Sequence, residues 1–213
     1  MRVAGTVRRV REPFSRIDGS DDAVFYSLAR KVVHLEPGAI EALRSVYAEQ
    51  FRSEATVLDL MSSWRSHLPE GLGRVVGLGM NAEEMDANPQ LDEWVVHDLN
   101  REPHLPFPDG SFDAVACAVS VQYLVHPFDV FGDVRRVLAP AGTVVVSFSN
   151  RCFPTKAVAL WLAGDDDDHR LLVRTYLERS AFTDVVDERV ETPDDPLFVV
   201  SGRAADRGPG GRT

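Results

Sequence analysis

Leu105-Pro106-Phe107-Pro108-Asp109-Gly110-Ser111-Phe112-Asp113-Ala114-Val115, or LPFPDGSFDAV, carries the chain from a loop into an apolar strand expected at Ala114–Val119. Further on, VRRVLAPAGTVVVSF (Val134–Phe148) reads as the end of a helix over Phe128–Leu138, stopped by Pro140 and Gly142, followed by a strand over Thr143–Ser149. A strand, a helix and a second strand make one βαβ unit, whose strands lie parallel.

The same rhythm extends in both directions. Upstream, Ile40, Leu43, Tyr47 and Phe51 recur at helical spacing from Pro37, and strands are expected at Thr56–Leu60, Arg74–Leu78 and Trp94–Asp98. Downstream, a helix over His169–Ser180 carries Leu172, Val173, Tyr176 and Leu177 on one side. The apolar runs Phe182–Val190 and Leu197–Val200 flank Pro193-Asp194-Asp195-Pro196 and read as a hairpin closing the sheet edge. The expected fold class is α/β, with a mostly parallel, doubly wound sheet in one domain over residues 1–203. Residues 1–20 read as an Arg-rich arm outside the core, 53–203 as the core sheet and 204–213 as a flexible tail.

Composition narrows the function. With 33 Asp and Glu against 23 Lys and Arg, the net charge of −10 disfavours nucleic acid and anionic membrane as partners. No apolar run is long enough to cross a bilayer, so a cytoplasmic chain is expected, with Cys117 and Cys152 reduced. Histidines 34, 67, 97, 104, 126 and 169 lack ligand spacing, so no metal site is expected. The acidic run Asp165–Asp168 reads as a solvated loop leading into the helix at His169.

In an open parallel sheet, ligands bind beyond the carboxyl ends of the strands, where strand order reverses. The residues there are Asp59 with Met61, Ser63 and Arg65; Gly77–Ala82; Asp98-Leu99-Asn100; Ser120–Leu124; and Ser149–Phe153. Together with VLDL at 57–60, LPFPDGSFDAV and RRVLAPAG make the chain resemble the class I S-adenosylmethionine-dependent methyltransferases of the small-molecule type, over roughly residues 40–203. The resemblance implies a Rossmann-like seven-stranded sheet with an antiparallel last strand. It also implies S-adenosylmethionine as cofactor over the first three strands, a small-molecule acceptor, and residues 21–52 as a helical lid.

Carried over by position, Asp59 matches the family's acid after the first strand, but Met61, Ser63 and Arg65 stand where it has three glycines. Gly79 stands where it has the acid that holds the ribose hydroxyls, while Asp98, with Leu99 beside it, matches the acid that contacts adenine. Compensations are conceivable within the same stretch: Ser62 or Ser63 capping a short following helix, Arg65 pairing with the cofactor carboxylate, Trp64 lying on adenine or the sulfonium, and Asn81 bonding a ribose hydroxyl. The plainer alternatives are a core Trp64, a solvated Arg65 and Asn81 as a helix cap. The family implies Ser120 as a further cofactor-binding residue and Tyr123 and His126 as catalytic candidates facing the acceptor, with Tyr26 and His34 from the lid and Asn150 and Arg151 after the fifth strand binding it; His126 reads equally as the cap of the helix starting at Pro127.

Two other readings stay open. The four departures at Met61, Ser63, Arg65 and Gly79 fit a non-catalytic relative that keeps the fold as a binding or partner protein. Gly77-Leu78-Gly79-Met80-Asn81-Ala82 also matches the G-x-G-x-x-A pattern of NAD(P)-binding folds, with Asp98 lying 98 − 79 = 19 residues beyond the second glycine. Against the latter, Pro89 cuts short the following helix.

Overall fold

The computed structural model describes residues 11–193 and 196–205. Strands β1 (Thr56–Leu60), β2 (Arg74–Gly79), β3 (Glu93–Val96), β4 (Phe112–Ala118), β5 (Leu138–Phe148), β6 (Phe182–Val190) and β7 (Leu197–Ala204) form one sheet in the order β3-β2-β1-β4-β5-β7-β6. The first five pair in parallel; β7, last in the chain, slips between β5 and β6 and runs antiparallel to both. The order reverses between β1 and β4, so their carboxyl ends flank the natural crevice. Asp194 and Asp195 of the expected hairpin turn lie outside the described residues.

Among the described residues six α-helices accompany the strands: α1 (Asp22–Phe25), α2 (Pro37–Gln50), α3 (Ala82–Asp86), α4 (Pro127–Val137), α5 (Ala159–Ala163) and α6 (Asp166–Arg179). Successive strand residues face opposite sides, so each strand feeds two cores. On one side Val57, Ala114, Ala116 and Val145 meet Ala39, Leu43, Val46 and Tyr47 of α2. On the other, Leu58, Val115, Val144 and Val146 meet Val130, Phe131 and Val134 of α4 and Val173, Tyr176 and Leu177 of α6. Each fully buried Val, Leu or Phe among them stabilises the fold by about 1.5–3 kcal/mol.

Several expectations are corrected. No helix follows β1: residues 61–73 cross to β2 without one, because serine hydroxyls satisfy local partners and Pro69, Gly71 and Gly73 interrupt any helical run. Leu68, with Leu72 beside it, covers the sheet face that such a helix would occupy. Of the segment 21–52 expected as a lid, α2 is a sheet-covering helix, and only the residues before it run over the strand ends. Helix α4 ends at Val137; Pro140 and Gly142 belong to β5, where Ala141 at φ 58° makes a bulge that shifts the register between Phe112 and Ala114. The acidic run is the start of α6: the Asp165 side chain accepts from the Asp167 and Asp168 N–H groups, and Asp168 returns the bond to the Asp165 N–H. Carboxylates suit that position because they meet the positive end of the helix dipole.

The expected arm is also corrected as far as it is described; residues 1–10 and 206–213 lie outside the described residues. Residues 13–18 are bound to the domain as a strap. The Pro13 and Ser15 carbonyls accept from the Leu160 and Ala159 N–H groups, and Asp18 N–H donates to the Thr155 carbonyl. Phe14 packs edge-on against Phe128. Beneath the strap, Lys156 is 0% exposed, its ammonium 3.0 Å from Asp22 and 3.2 Å from Asp18, while Arg16 reaches Asp22 at 2.7 Å. Burial alone would raise the Asp22 carboxyl; hydrogen bonds from Arg16, Asn100 and Lys156 outweigh it and hold the group below the usual carboxylate range. Removing one member of such a cluster leaves an uncompensated buried charge. Lys156→Met should therefore lower unfolding stability by about 3 kcal/mol in urea titrations; an unchanged midpoint would show that the ammonium gives the strap no stability.

Candidate functional site

At the carboxyl ends of β1 to β4 lies a cleft with about 1220 Å³ of atom-free space, its open mouth included, bounded on its outer side by residues 22–34. Part of that space is open to solvent, and its walls are drawn from the ends of all four strands.

The wall on the β1 side is built from a buried carboxylate. Asp59 is 3% exposed, and both the Ser62 and Ser66 hydroxyls donate to its Oδ2. Asn88 Nδ2 donates to Ser66 Oγ and to the Ser63 carbonyl, and the Ser62 N–H donates to the Leu78 carbonyl at 2.8 Å. This web replaces the absent helix as the support for residues 61–66. Burial raises the Asp59 carboxyl to about 6, against the pull of the two hydroxyls. Met61 sits at φ 59°, so the first position where glycines were expected keeps the left-handed turn without the glycine.

Gly79 is explained by the same loop. A Cβ there would fall 2.2 Å from the Ser62 carbonyl oxygen, so no side chain, acidic or otherwise, fits. The missing strand-end acid and the missing glycines are thus one structural change. The close approach that a dinucleotide reading needs at this glycine is taken by the protein's own backbone, and α3 spans only Ala82–Asp86.

On the β2 and β3 side, Asn81 is the cap of α3, its Oδ1 accepting from the Glu84 N–H at 3.0 Å, while its Nδ2 donates to the Tyr26 carbonyl. Glu84 faces the cleft from the first turn of α3, its carboxylate accepting from Ser63 Oγ and from the Arg30 N–H. Strand β3 ends at Val96, and Asp98 lies just beyond, Oδ1 accepting from the Asn100 N–H at 2.9 Å. Leu99 is buried beside it. Trp64 is half-buried rather than core; its Nε1 donates to the Val32 carbonyl, and the Arg65 guanidinium lies 4.3 Å above its ring at the cleft mouth.

The remaining wall follows β4. Ser120 and Tyr123 line it with Tyr26, His34 and Phe153. Tyr123 Oη accepts from the Phe153 N–H at 2.9 Å, and the ring stacks on Phe153, against which His34 packs edge-on. Burial pushes the Tyr123 hydroxyl up to about 12 and raises Tyr26 as well, so both stay protonated. Burial lowers His34, and lowers His67 to about 4 with help from Arg65 and Arg44, so both imidazoles are neutral near pH 7. Asn100 ties the walls together, donating to Asp22 and to the Tyr123 carbonyl and accepting from the Val125 N–H.

The cleft thus gathers Tyr26, His34, Asp59, Met61, Ser63, Trp64, Arg65, Gly79, Asn81, Asp98, Leu99, Ser120 and Tyr123. It does not gather His126, which is exposed at the start of α4 and makes no capping bond through its side chain. Asn150 is exposed away from it, and Arg151 forms an ion pair with Glu36 at 2.9 Å. Asp22, Glu84 and His67 line the cleft although sequence reasoning did not place them there, whereas Asn100 and Phe153 come from the strand-end stretches it named. For Glu84 a signal existed, an acid in the first turn after β2; for Asp22 none did, because the segment ahead of the core is placed only by folding. Among the described residues, no group of three or more His, Cys, Asp or Glu is arranged to hold a metal ion.

Comparison with known proteins agrees with this geometry. The chain is 30% identical over 148 residues to the ubiquinone/menaquinone biosynthesis C-methyltransferase UbiE of Bartonella henselae, covering 63% of this chain and 52% of that protein. It therefore spans about half the length of the curated relatives it matches. In fold, it is similar to a chain of the Haloferax volcanii complex between the Trm112 methyltransferase activator and a methyltransferase, with TM-score 0.60 and 17% identity over 81% of this chain and 90% of that one. It is similar also to an S-adenosylmethionine-dependent methyltransferase of Aquifex aeolicus, with TM-score 0.58 and 16% identity over 80% and 100%. The family model described as a methyltransferase domain matches residues 35–146, more than half of the chain, and contains β1 to β4, α4 and most of β5: the chain belongs to that methyltransferase-domain family.

Proposed function

We propose that the protein is an S-adenosylmethionine-dependent methyltransferase acting on a small-molecule acceptor. The observation that carries this reading is the single cleft at the strand-order reversal, which gathers Asp59, Asp98, Leu99 and Ser120 within the part of the chain that defines the family. The donor set fits the cofactor. Leu78, Met80 and Leu99 offer apolar surface to a ring, Asp98 and Glu84 offer acceptors, and Arg65 offers a cation to a carboxylate at the mouth. When bound, S-adenosylmethionine supplies an electrophilic methyl group on a sulfonium.

The chain's own part is to orient two molecules and keep water away, which can supply much of the rate of an in-line displacement. Tyr26 and Tyr123, both protonated, serve as hydrogen-bond donors to an acceptor and not as bases. His34, neutral and packed edge-on against Phe153, on which Tyr123 stacks, is a group able to take a proton from an acceptor hydroxyl. His126, exposed outside the cleft, is not assigned this role.

At about 100 times its dissociation constant, S-adenosylmethionine should stabilise the protein by about 2.7 kcal/mol, seen as a rise in Tm. No shift and no calorimetric heat at millimolar cofactor would overturn the reading, and a shift with NAD or NADP alone would replace it. Arg65→Ala should weaken cofactor binding about tenfold, the loss of one charge-assisted bond; unchanged affinity would leave Arg65 as a cover for Trp64.

Asp59 gives the free protein a pH signature. Its folded pKa of about 6 exceeds the unfolded value of 3.8, so the folded state holds the proton longer and stability falls as pH rises from about 4 to 6. The fall should be about 3 kcal/mol at most, and Asp59→Asn should abolish it in denaturation curves recorded across that window. A flat wild-type profile would show that the carboxyl titrates normally.

A further inference from the structure

Resting on the reading of the cleft as a nucleoside site, we infer that Glu84 is the carboxylate that receives the ribose hydroxyls of the ligand. A ribose diol presents two adjacent O–H donors, and an ionised carboxylate, with two oxygens and about four lone-pair sites, is the side chain suited to accept both. The strand-end position is closed to any acid, since the Ser62 carbonyl occupies the place of a Gly79 side chain. The carboxylate must come from elsewhere on the cleft wall.

Four carboxylates line that wall among the described residues: Asp22, Asp59, Glu84 and Asp98. Asp22 is 4% exposed and committed to Arg16, Lys156 and Asn100. Asp59 is buried beneath Ser62 and Ser66, both on one of its oxygens. Asp98 lies beyond β3, one strand further out, with Oδ1 turned to the Asn100 N–H. Glu84 remains, and it stands on the helix that directly follows Gly79.

Its present partners resemble what a diol would offer. One oxygen accepts from the Ser63 hydroxyl and the other from the Arg30 N–H, two neutral donors and no cation. Each oxygen keeps a further lone pair, so the diol is received without displacing either donor. The Glu84 backbone is held by Asn81, which also grips the Tyr26 carbonyl. One carboxylate thus joins the outer segment, through Arg30, to the loop after β1, through Ser63, with the ligand between them.

Isothermal titration calorimetry with S-adenosylhomocysteine and its 2′-deoxy analogue tests this without turnover. The wild type should prefer the ribonucleoside by about tenfold or more, the effect of a hydrogen bond to a charged group. In Glu84→Ala and Glu84→Gln the preference should fall below about threefold, whereas Ser63→Ala should keep it. Either Glu84 variant retaining the wild-type preference, or a wild type that binds both compounds equally, would overturn the assignment while leaving the cofactor reading intact. A wild type that binds neither would overturn both. The two Glu84 variants differ in packing but not in lost charge, so misfolding of one leaves the other to decide.

Discussion

The carbonyl oxygen of Ser62 lies where a side chain at position 79 would begin, 2.2 Å from an ideal Cβ. Most of the ligand face follows from that contact. Because the backbone after β1 turns through the left-handed conformation at Met61 and runs against the end of β2, no helix follows β1 and position 79 has no room for an acid. The loop is held by side chains, with Asp59 accepting from Ser62 and Ser66 and Asn88 donating to Ser66 Oγ and to the Ser63 carbonyl. A buried carboxylate is costly unless hydrogen-bonded, and here those bonds fix the shape of the wall.

The opposite wall keeps the ordinary arrangement of a parallel α/β sheet. Asp98 and Leu99 follow β3, Ser120 and Tyr123 follow β4, and Asn100 bridges them to Asp22. The cleft therefore has one conventional half and one rebuilt half. The outer boundary is a segment pinned at both ends, by α2 packed on the sheet and by the strap over Lys156. The run between Tyr26 and His34 meets the cleft walls through bonds from Asn81 to the Tyr26 carbonyl, Trp64 to the Val32 carbonyl and the Arg30 N–H to Glu84, and through His34 packed edge-on against Phe153.

Much of this was legible in the residues. The strands at Thr56–Leu60 and Arg74–Leu78 and the αβ alternation appear close to their expected bounds, since apolar periodicity and turn residues act locally. Asp59, Asp98 and Ser120 reach the cleft because strand ends do so in any doubly wound sheet. The misplacements have local causes too. His126, Asn150 and Arg151 follow strands or precede helices as ligand residues do, yet the direction of a loop side chain depends on what packs beneath it. Asp165–Asp168 read as solvated charge, but its second role, as a cap, needs only helix geometry and was within reach of the pattern.

By itself the sequence determined the sheet, its family and the side of the sheet on which ligands gather, because these rest on the spacing of apolar residues and on chain connectivity. Only the tertiary structure decided that no helix follows β1, that Gly79 is filled from without by Ser62, that the N-terminal strap is fastened to buried Lys156 and that Glu84 faces the cleft. These are contacts between segments separated along the chain, 62 with 79, 18 with 156 and 30 with 84. Their existence depends on packing and burial, which no local pattern encodes.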